Sequence, residues 1–384
     1  MYRSINIQLS TDLKNLDDQI IAFSDVHIIN RKMQMYQIKK SRLAILATYA
    51  FGLGAAMSAT SASASNLNIT ATFDSSITSL SNASAVEAGI NAAIANITND
   101  VTTNAPVNVS IDFKNSNSGL GASNTPQADI SYSTYLADLQ ALPNQTANQI
   151  TAFATLPTGP NTGINNATQV LLTAANLATL GDTTDANNLV SGNGGFNSII
   201  SLNTSIINAS PADTNPDNYA LQSIAAHEID EVLGIGGNAS TLYQPGNTVP
   251  ALPSDISGLD LFRYTAPGVR SFTYDPTVSS YFSIDGGVTK LVSFNQAGAG
   301  GSDFGDWGSH SGGPQVQDAF GTPGVAALTL GSNELTALNV IGYSLTPAGL
   351  AADGVSAVPL PGATWLMLSG LLGMLGLNRR KAAM

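Results

Sequence analysis

Residues 215–234 constrain this chain more than any other stretch. Asn215 can cap a helix, Pro216 suits the first helical position, and Asp217 favours the positive end of the helix dipole. Leu221, Ile224, Ala225 and Val232 follow as an apolar stripe at helical spacing, and Gly234 is a natural stop. The helix is therefore predicted without appeal to any motif. Its last turns carry His227, Glu228, Asp230 and Glu231. His227 and Glu231 are four apart and project from one face, one turn from each other. An imidazole and a carboxylate so placed form a metal-ligand pattern. Glu228, directly after His227, stands where a general base would sit beside a metal-bound water. Asp230 points about 100° away from Glu231 on an ideal helix, which makes it a weak ligand candidate.

The segments before this helix predict an α+β fold. Asn68–Phe73 reads as a strand. Residues 84–100 place Val86, Ile90, Ala93, Ile94 and Ile97 on one helical face, with Gly89 as a local weakness. Val107–Phe113 alternates like a half-buried strand. Strand, helix, strand implies a mixed sheet with a helix packed on it. Residues 114–130 are rich in Asn, Ser and Gly and read as a loop. A short helix is expected over Tyr135–Leu142, order over Gln169–Leu180 within an otherwise polar 143–195, and a strand over Phe196–Asn203.

Downstream, Leu259–Tyr264 is a compact apolar stretch with two charges. Tyr281–Ile284 and Thr289–Phe294 flank Asp285-Gly286-Gly287 as a hairpin. Gly301–Gly313 is a loop holding Asp303, Asp306, Trp307 and His310, and Ser332 can cap a short helix running to Val340, ended by Gly342.

His227-Glu228-x-x-Glu231-x-x-Gly234 resembles the zincin motif H-E-x-x-H, and more closely its metzincin form with a glycine three residues on. It departs from that pattern twice. Glu231 replaces the second histidine, and Gly237 occupies the place of the compact motif's third ligand. The resemblance extends over residues 66–346, through a D-L-F-R-Y segment (260–264), an S-I-D-G-G hairpin (283–287), the tryptophan loop and a closing A-L-x-x-I-G-aromatic helix (337–343), a set similar to secreted bacterial zincin-like proteins. It implies a catalytic domain with a mixed sheet and a motif-bearing helix. It also implies that the strand over 196–203 is an edge that pairs with extended substrate, against the alternative of an ordinary sheet strand. Where related enzymes carry Ser-His-Trp in the loop, this chain has Asp306 before Trp307, and no methionine near Ile341 forms a Met-turn.

The termini predict export. Met35–Arg42 is a basic segment, Leu43–Met57 is apolar, and Ala62-Ser63-Ala64 fits a signal-peptidase site. The apolar run is short for a membrane span. Residues 1–34 fit no targeting pattern, and a start at Met33 or Met35 would give an ordinary signal. Val358-Pro359-Leu360-Pro361, the apolar run Ala363–Leu377 and Arg379-Arg380-Lys381 together resemble the PEP-CTERM sorting tail of Gram-negative bacteria. That implies transient insertion of the C-terminal helix in the inner membrane, recognition by an exosortase-type enzyme, and release or surface attachment. The alternative is a plain membrane anchor. The expected divisions are 1–64 (extension and signal), 65–357 (zincin-like domain) and 358–384 (tail).

Composition narrows the chemistry. The chain has no cysteine, so thiolate metal sites, thiol nucleophiles and disulfides are excluded. Residues 65–357 hold only Lys114, Arg263, Arg270 and Lys290 against 22 acidic residues, which excludes a nucleic-acid-binding stripe. Two histidines, His227 and His310, fall in this body, so a three-histidine zinc site is impossible within one chain. The expected ligands are His227, Glu231 and a third from Asp306 or His310. Family position favours Asp306 and imidazole chemistry favours His310. Zinc is the leading ion, with calcium the alternative for an acid-rich site. The activity implied is a zinc endopeptidase acting on protein or peptide substrates. The other reading is a catalytically inactive zincin-fold surface or matrix protein.

Overall fold

Alternating apolar side chains draw the first strand, β1 (Leu67–Phe73), onto the core: Leu67 and Ile69 are buried while Asn68 and Thr70 face solvent. The computed structural model describes residues 66–354, apart from 165, 211–212, 214, 238–254, 272–274, 276, 296–302 and 309–310. The signal-like segment, the sorting-like tail and His310 lie outside the described residues. Among the described residues, no helix is long and apolar enough to cross a membrane.

Helix α1 (Ala83–Asp100) buries Val86, Ile90, Ala93, Ile94 and Ile97, as their spacing predicts. Gly89 lies on that face because a β-carbon there would stand 2.7 Å from the Ala209 carbonyl oxygen. The glycine that weakens the helix on propensity is what lets it pack closely. Strand β2 (Val107–Ser116) pairs in parallel with β1, from Leu67 opposite Val107 to Phe73 opposite Phe113.

Residues 114–130 are not a loop throughout. They form β3 (Gly121–Asn124) and β4 (Gln127–Ser131), short polar strands held by pairing rather than by their own propensity. Ser131 caps α2 (Tyr132–Ala141), three residues earlier than expected, by accepting from the Thr134 N–H at 3.1 Å. A reciprocal Thr146–Gln149 capping box starts α3 (Ala147–Thr155). The ordered stretch from Gln169 divides into β5 (Gln169–Thr173) and α4 (Ala174–Leu180), followed by α5 (Thr183–Gly192).

Strand β6 (Ser198–Asn203) is the expected strand, but it is not an edge. It runs parallel to β2 on one side and antiparallel to β3 on the other, giving the order β1-β2-β6-β3. The end strands of this mixed sheet are therefore β1 and β3. Two short strands, β7 (Ile207–Asn208) and β8 (Tyr219–Ala220), pair before the motif helix.

That pairing delays α6, the motif helix, to Leu221–Leu233. Asn215 does not cap it; Ala220 precedes the first turn and makes no side-chain cap. The C-terminus agrees with the sequence. Gly234 adopts φ 107°, and the N–H groups of Gly234 and Ile235 both donate to the Asp230 carbonyl. Leu221, Ile224, Ala225, Ile229 and Val232 are buried.

The downstream half adds β9 (Asp255–Ser257), parallel to β5. It then forms an antiparallel platform of β10 (Arg263–Ala266), β11 (Val269–Arg270), β12 (Tyr281–Phe282) and β13 (Val292–Ser293). The expected hairpin is the β12–β13 pair. On this platform Trp307 stacks on Phe282 at 5.7 Å between ring centroids and meets Phe294 at 5.3 Å. Helix α7 (Ser332–Val340) has Gly331 rather than Ser332 as its cap residue, with the Glu334 carboxylate accepting from the Gly331 N–H at 3.0 Å, and a short strand (Ser344–Leu345) and helix (Pro347–Ala352) follow it. The described domain is a mixed α+β fold.

Candidate metal centre

The motif helix ends where the loop before Trp307 crosses it. Its i, i+4 geometry brings His227 Nε2 to 3.5 Å from Glu231 Oε1, and the loop brings Asp306 Oδ2 to 3.7 Å from the same nitrogen. The three donors lie within 4.8 Å of one another. Glu231 and Asp306 are 4% and 2% exposed. Two buried carboxylates around one imidazole, with no described lysine or arginine bonded to them, would be stabilised by a positive charge, and these side chains are close enough to hold a divalent cation.

Each donor is oriented by a second group. The Nδ1–H of His227 donates to the Val316 carbonyl at 2.9 Å, which fixes the tautomer and leaves Nε2 as the free ligand atom. The Glu231 carboxylate accepts from the Gly237 N–H at 3.1 Å through Oε1 and from the Ser123 hydroxyl through Oε2. Asp306 accepts from the Gln317 side-chain amide at 2.9 Å. Strand alternation turns Ser123 and Gly121 of β3 toward α6 together: Ser123 reaches Glu231, and Gly121 lies so close to Glu228 that a β-carbon would stand 2.3 Å from Oε1.

Glu228 is 5% exposed and its Oε2 has no hydrogen-bond partner. It lines the same cavity of about 340 Å³ as His227, Asp303 and Asp306. Burial, then the neighbouring Glu231, pushes its carboxyl well above the ordinary range. Burial also raises Asp306, against the pull of His227. Asp303 is raised to about 6 by burial and by Glu231, with His227 opposing. For His227 burial disfavours the charged form, but Asp306, Glu231 and Glu228 outweigh it and hold the imidazole well above its usual value. In the absence of an ion, the cluster is thus set to share protons.

Below the site a second group of residues supports the loop. Arg263 is fully buried between the rings of Phe294 and Phe304, with its guanidinium carbon 3.7 Å and 4.6 Å from their centroids. It donates to the Phe304 carbonyl and, at 3.0 Å, to the Ser280 hydroxyl, and it pairs with Asp260. Glu334 accepts from Trp307 Nε1 at 3.0 Å and from the Gln317 N–H at 3.2 Å. The two residues that frame Asp306, Trp307 and Gln317, are therefore anchored to one buried carboxylate.

The structure brings together His227, Glu228, Glu231 and Asp306. Asp230 turns away into the core, fully buried, with neither carboxylate oxygen hydrogen-bonded. Four features have no sequence signal of their own: the Ser123 hydroxyl, the Gly237 N–H, the Gln317 amide, and the entry of Asp303 into the cavity. Gly237, a lost ligand position in the motif, contributes through its backbone instead. Comparison with protein-family models, curated proteins and solved structures finds no match to this chain, so what is established here is an α+β domain with a three-donor cluster able to hold a divalent ion.

Proposed function

We propose that this chain is an exported zincin-like hydrolase, a zinc-dependent endopeptidase that cleaves peptide bonds. The observation that carries the reading is the placement of Glu228. It lines a cavity that His227 and Asp306 of the cluster also line, and its buried Oε2 has no hydrogen-bond partner. His227, Glu231 and Asp306 would hold the ion; one nitrogen and two carboxylate oxygens suit zinc with a position left open, and calcium is the alternative for oxygen-rich sets. When bound, zinc would polarise the scissile carbonyl and make a water acidic. Glu228 would hold the proton taken from that water and pass it to the leaving amine. The signal-like N-terminal segment and the PEP-CTERM-like tail support a surface or extracellular destination after handling by an exosortase-type enzyme.

A second reading, a catalytically inactive zincin-fold surface protein, draws on the same cluster. Carboxylates at two of three ligand positions lower the charge felt by a bound water and weaken its activation. Elemental analysis of the purified chain, with His227→Ala and Glu228→Gln in parallel, separates the cases. Near-stoichiometric zinc lost in His227→Ala, with peptide hydrolysis lost in Glu228→Gln, is the expected result. Metal retained without hydrolysis would favour the inactive form, and no metal in any variant would refute the enzyme and leave the inactive zincin-fold protein.

A further inference from the structure

We propose that the cleft selects polypeptide segments carrying a lysine or arginine beside an apolar side chain, an inference that rests on the hydrolase reading above. The charged side chains lining the cavity are Glu228, Asp303, Asp306 and Asp318, with His227 among them. With Glu231 behind them the carboxylates number five, so a divalent ion would offset two of their charges and leave the cleft negative. Among the described residues, no lysine or arginine lines it. The described cations are engaged elsewhere: Lys114 with Asp112 at 3.4 Å, Arg263 in the buried platform, Arg270 with the carbonyls of Leu261 and Thr155, and Lys290 over Tyr281. Among these carboxylates Glu228 is 5% exposed and its buried Oε2 has no hydrogen-bond partner.

The same cavity is also lined by the apolar side chains of Leu120, Tyr219, Ile224, Val325, Leu328 and Phe320. Phe320 is 63% exposed at this cavity, which is unusual for a large aromatic in a solvated position and suits contact with a ligand. Asp318 lies two residues before it, on the segment that bridges Trp307, and follows Gln317, which holds Asp306. The chain therefore carries from the metal cluster to an acidic and then an aromatic position within three residues. A charged cleft with low-dielectric walls concentrates ligands of opposite sign.

The test reads binding without turnover, using the zinc-loaded Glu228→Gln chain and fluorescence anisotropy. The probes are short capped leucine-flanked peptides that differ at one central position: lysine, norleucine or glutamate. Lysine is expected to bind about tenfold more tightly than norleucine at low salt, with glutamate weakest and the spread shrinking as salt rises to about 0.5 M. Asp318→Asn in the same background should cut the lysine advantage by about threefold with zinc content unchanged. Equal binding of lysine and norleucine, tightest binding of glutamate, or no binding of any peptide would overturn the proposal. An unchanged advantage in a folded Asp318→Asn chain would overturn the role of Asp318, and the peptide series decides even where that variant does not fold. Hydrolysis by the unmutated chain is scored separately. A preference for lysine without turnover would leave the cleft selective and remove only the enzyme.

Discussion

Adding one methyl group to β3 should disarm the site without emptying it. A β-carbon on Gly121 would lie 2.3 Å from Glu228 Oε1, 2.8 Å from its Cδ and 2.9 Å from its Cγ. Ordinary contact begins at 3.4 Å, so the carboxylate must retreat by about 1.1 Å. The strand is pinned by its ladder to β6, with Gly121 opposite Leu202, and the cavity beside Glu228 is open, so the side chain moves rather than the backbone. A displacement of about 1 Å at a reacting group reduces rate by roughly 10²-fold, within the 10² to 10⁴ that a positioned general base contributes. Overpacking should lower stability by about 1–3 kcal/mol. The assay is turnover of quenched fluorescent peptides at saturating zinc, with metal content and thermal unfolding measured on the same samples. Gly121→Ala should keep its metal and lose about 10²-fold in kcat. In a Glu228→Asp background, where the shorter acid already withdraws from β3, the same substitution should add little, which a double-mutant cycle reads directly. Turnover equal to the unmutated chain would refute the reasoning, as would a loss of metal that tracks the loss of rate.

Three further outcomes follow from the same geometry. Asp303 has its carboxyl raised from 3.8 to about 6, so the metal-free fold holds a proton that the unfolded chain releases. Its stabilising contribution is full below pH 3.8 and is lost as pH rises through about 6; the difference in thermal stability between the chelated chain and its Asp303→Asn variant should shift against the unmutated chain across that window, and a flat difference would contradict it. Arg263→Met removes the buried cation beside Asp260 and the donor to the Phe304 carbonyl, and should cost about 3–5 kcal/mol in urea unfolding, with much of it recovered by adding Asp260→Asn. Glu334→Leu leaves the N–H groups of Trp307, Gln317 and Gly331 without their acceptor and should cost about 3–5 kcal/mol, whereas Glu334→Gln keeps an acceptor oxygen and should cost less.

The parts of this fold legible in sequence are those where local pattern and tertiary burial agree. Helix α1 and strands β1 and β2 show their apolar periods directly, and Gly234 ends α6 as its type predicts. The misreadings share a cause in long-range pairing. Gly121–Asn124 has no strand composition and becomes one because β6 offers it a ladder. Asn215 and Pro216 have good helix-start chemistry, but Tyr219 and Ala220 are taken by pairing with Ile207 and Asn208, so the helix begins later. For the same reason β6 loses the edge to β3. At the site, His227 and Glu231 are visible because helical spacing fixes their geometry, and Asp306 because of its place before Trp307. Ser123 reaches Glu231 from a remote strand, while the Gly237 N–H and the Gln317 amide act from six and eleven residues beyond their partners, and no local pattern marks any of them.

The donors of the candidate centre belong to segments far apart in the chain: α6 supplies two, the loop before Trp307 supplies the third, and the sheet edge is tied in through Ser123. An ion there is a topological staple. It would close the span of chain between Glu231 and Asp306 and tie that closure through Ser123 to the end strand β3. With ion at about a hundred times its Kd the staple adds roughly 2.7 kcal/mol to the closed state, a large share of the stability of an ordinary domain. Chelation would then release the crossing loop as a unit, and amide exchange over residues 303–308 would report it. On the proposed export, the local supply of metal would set how long the cleft stays assembled.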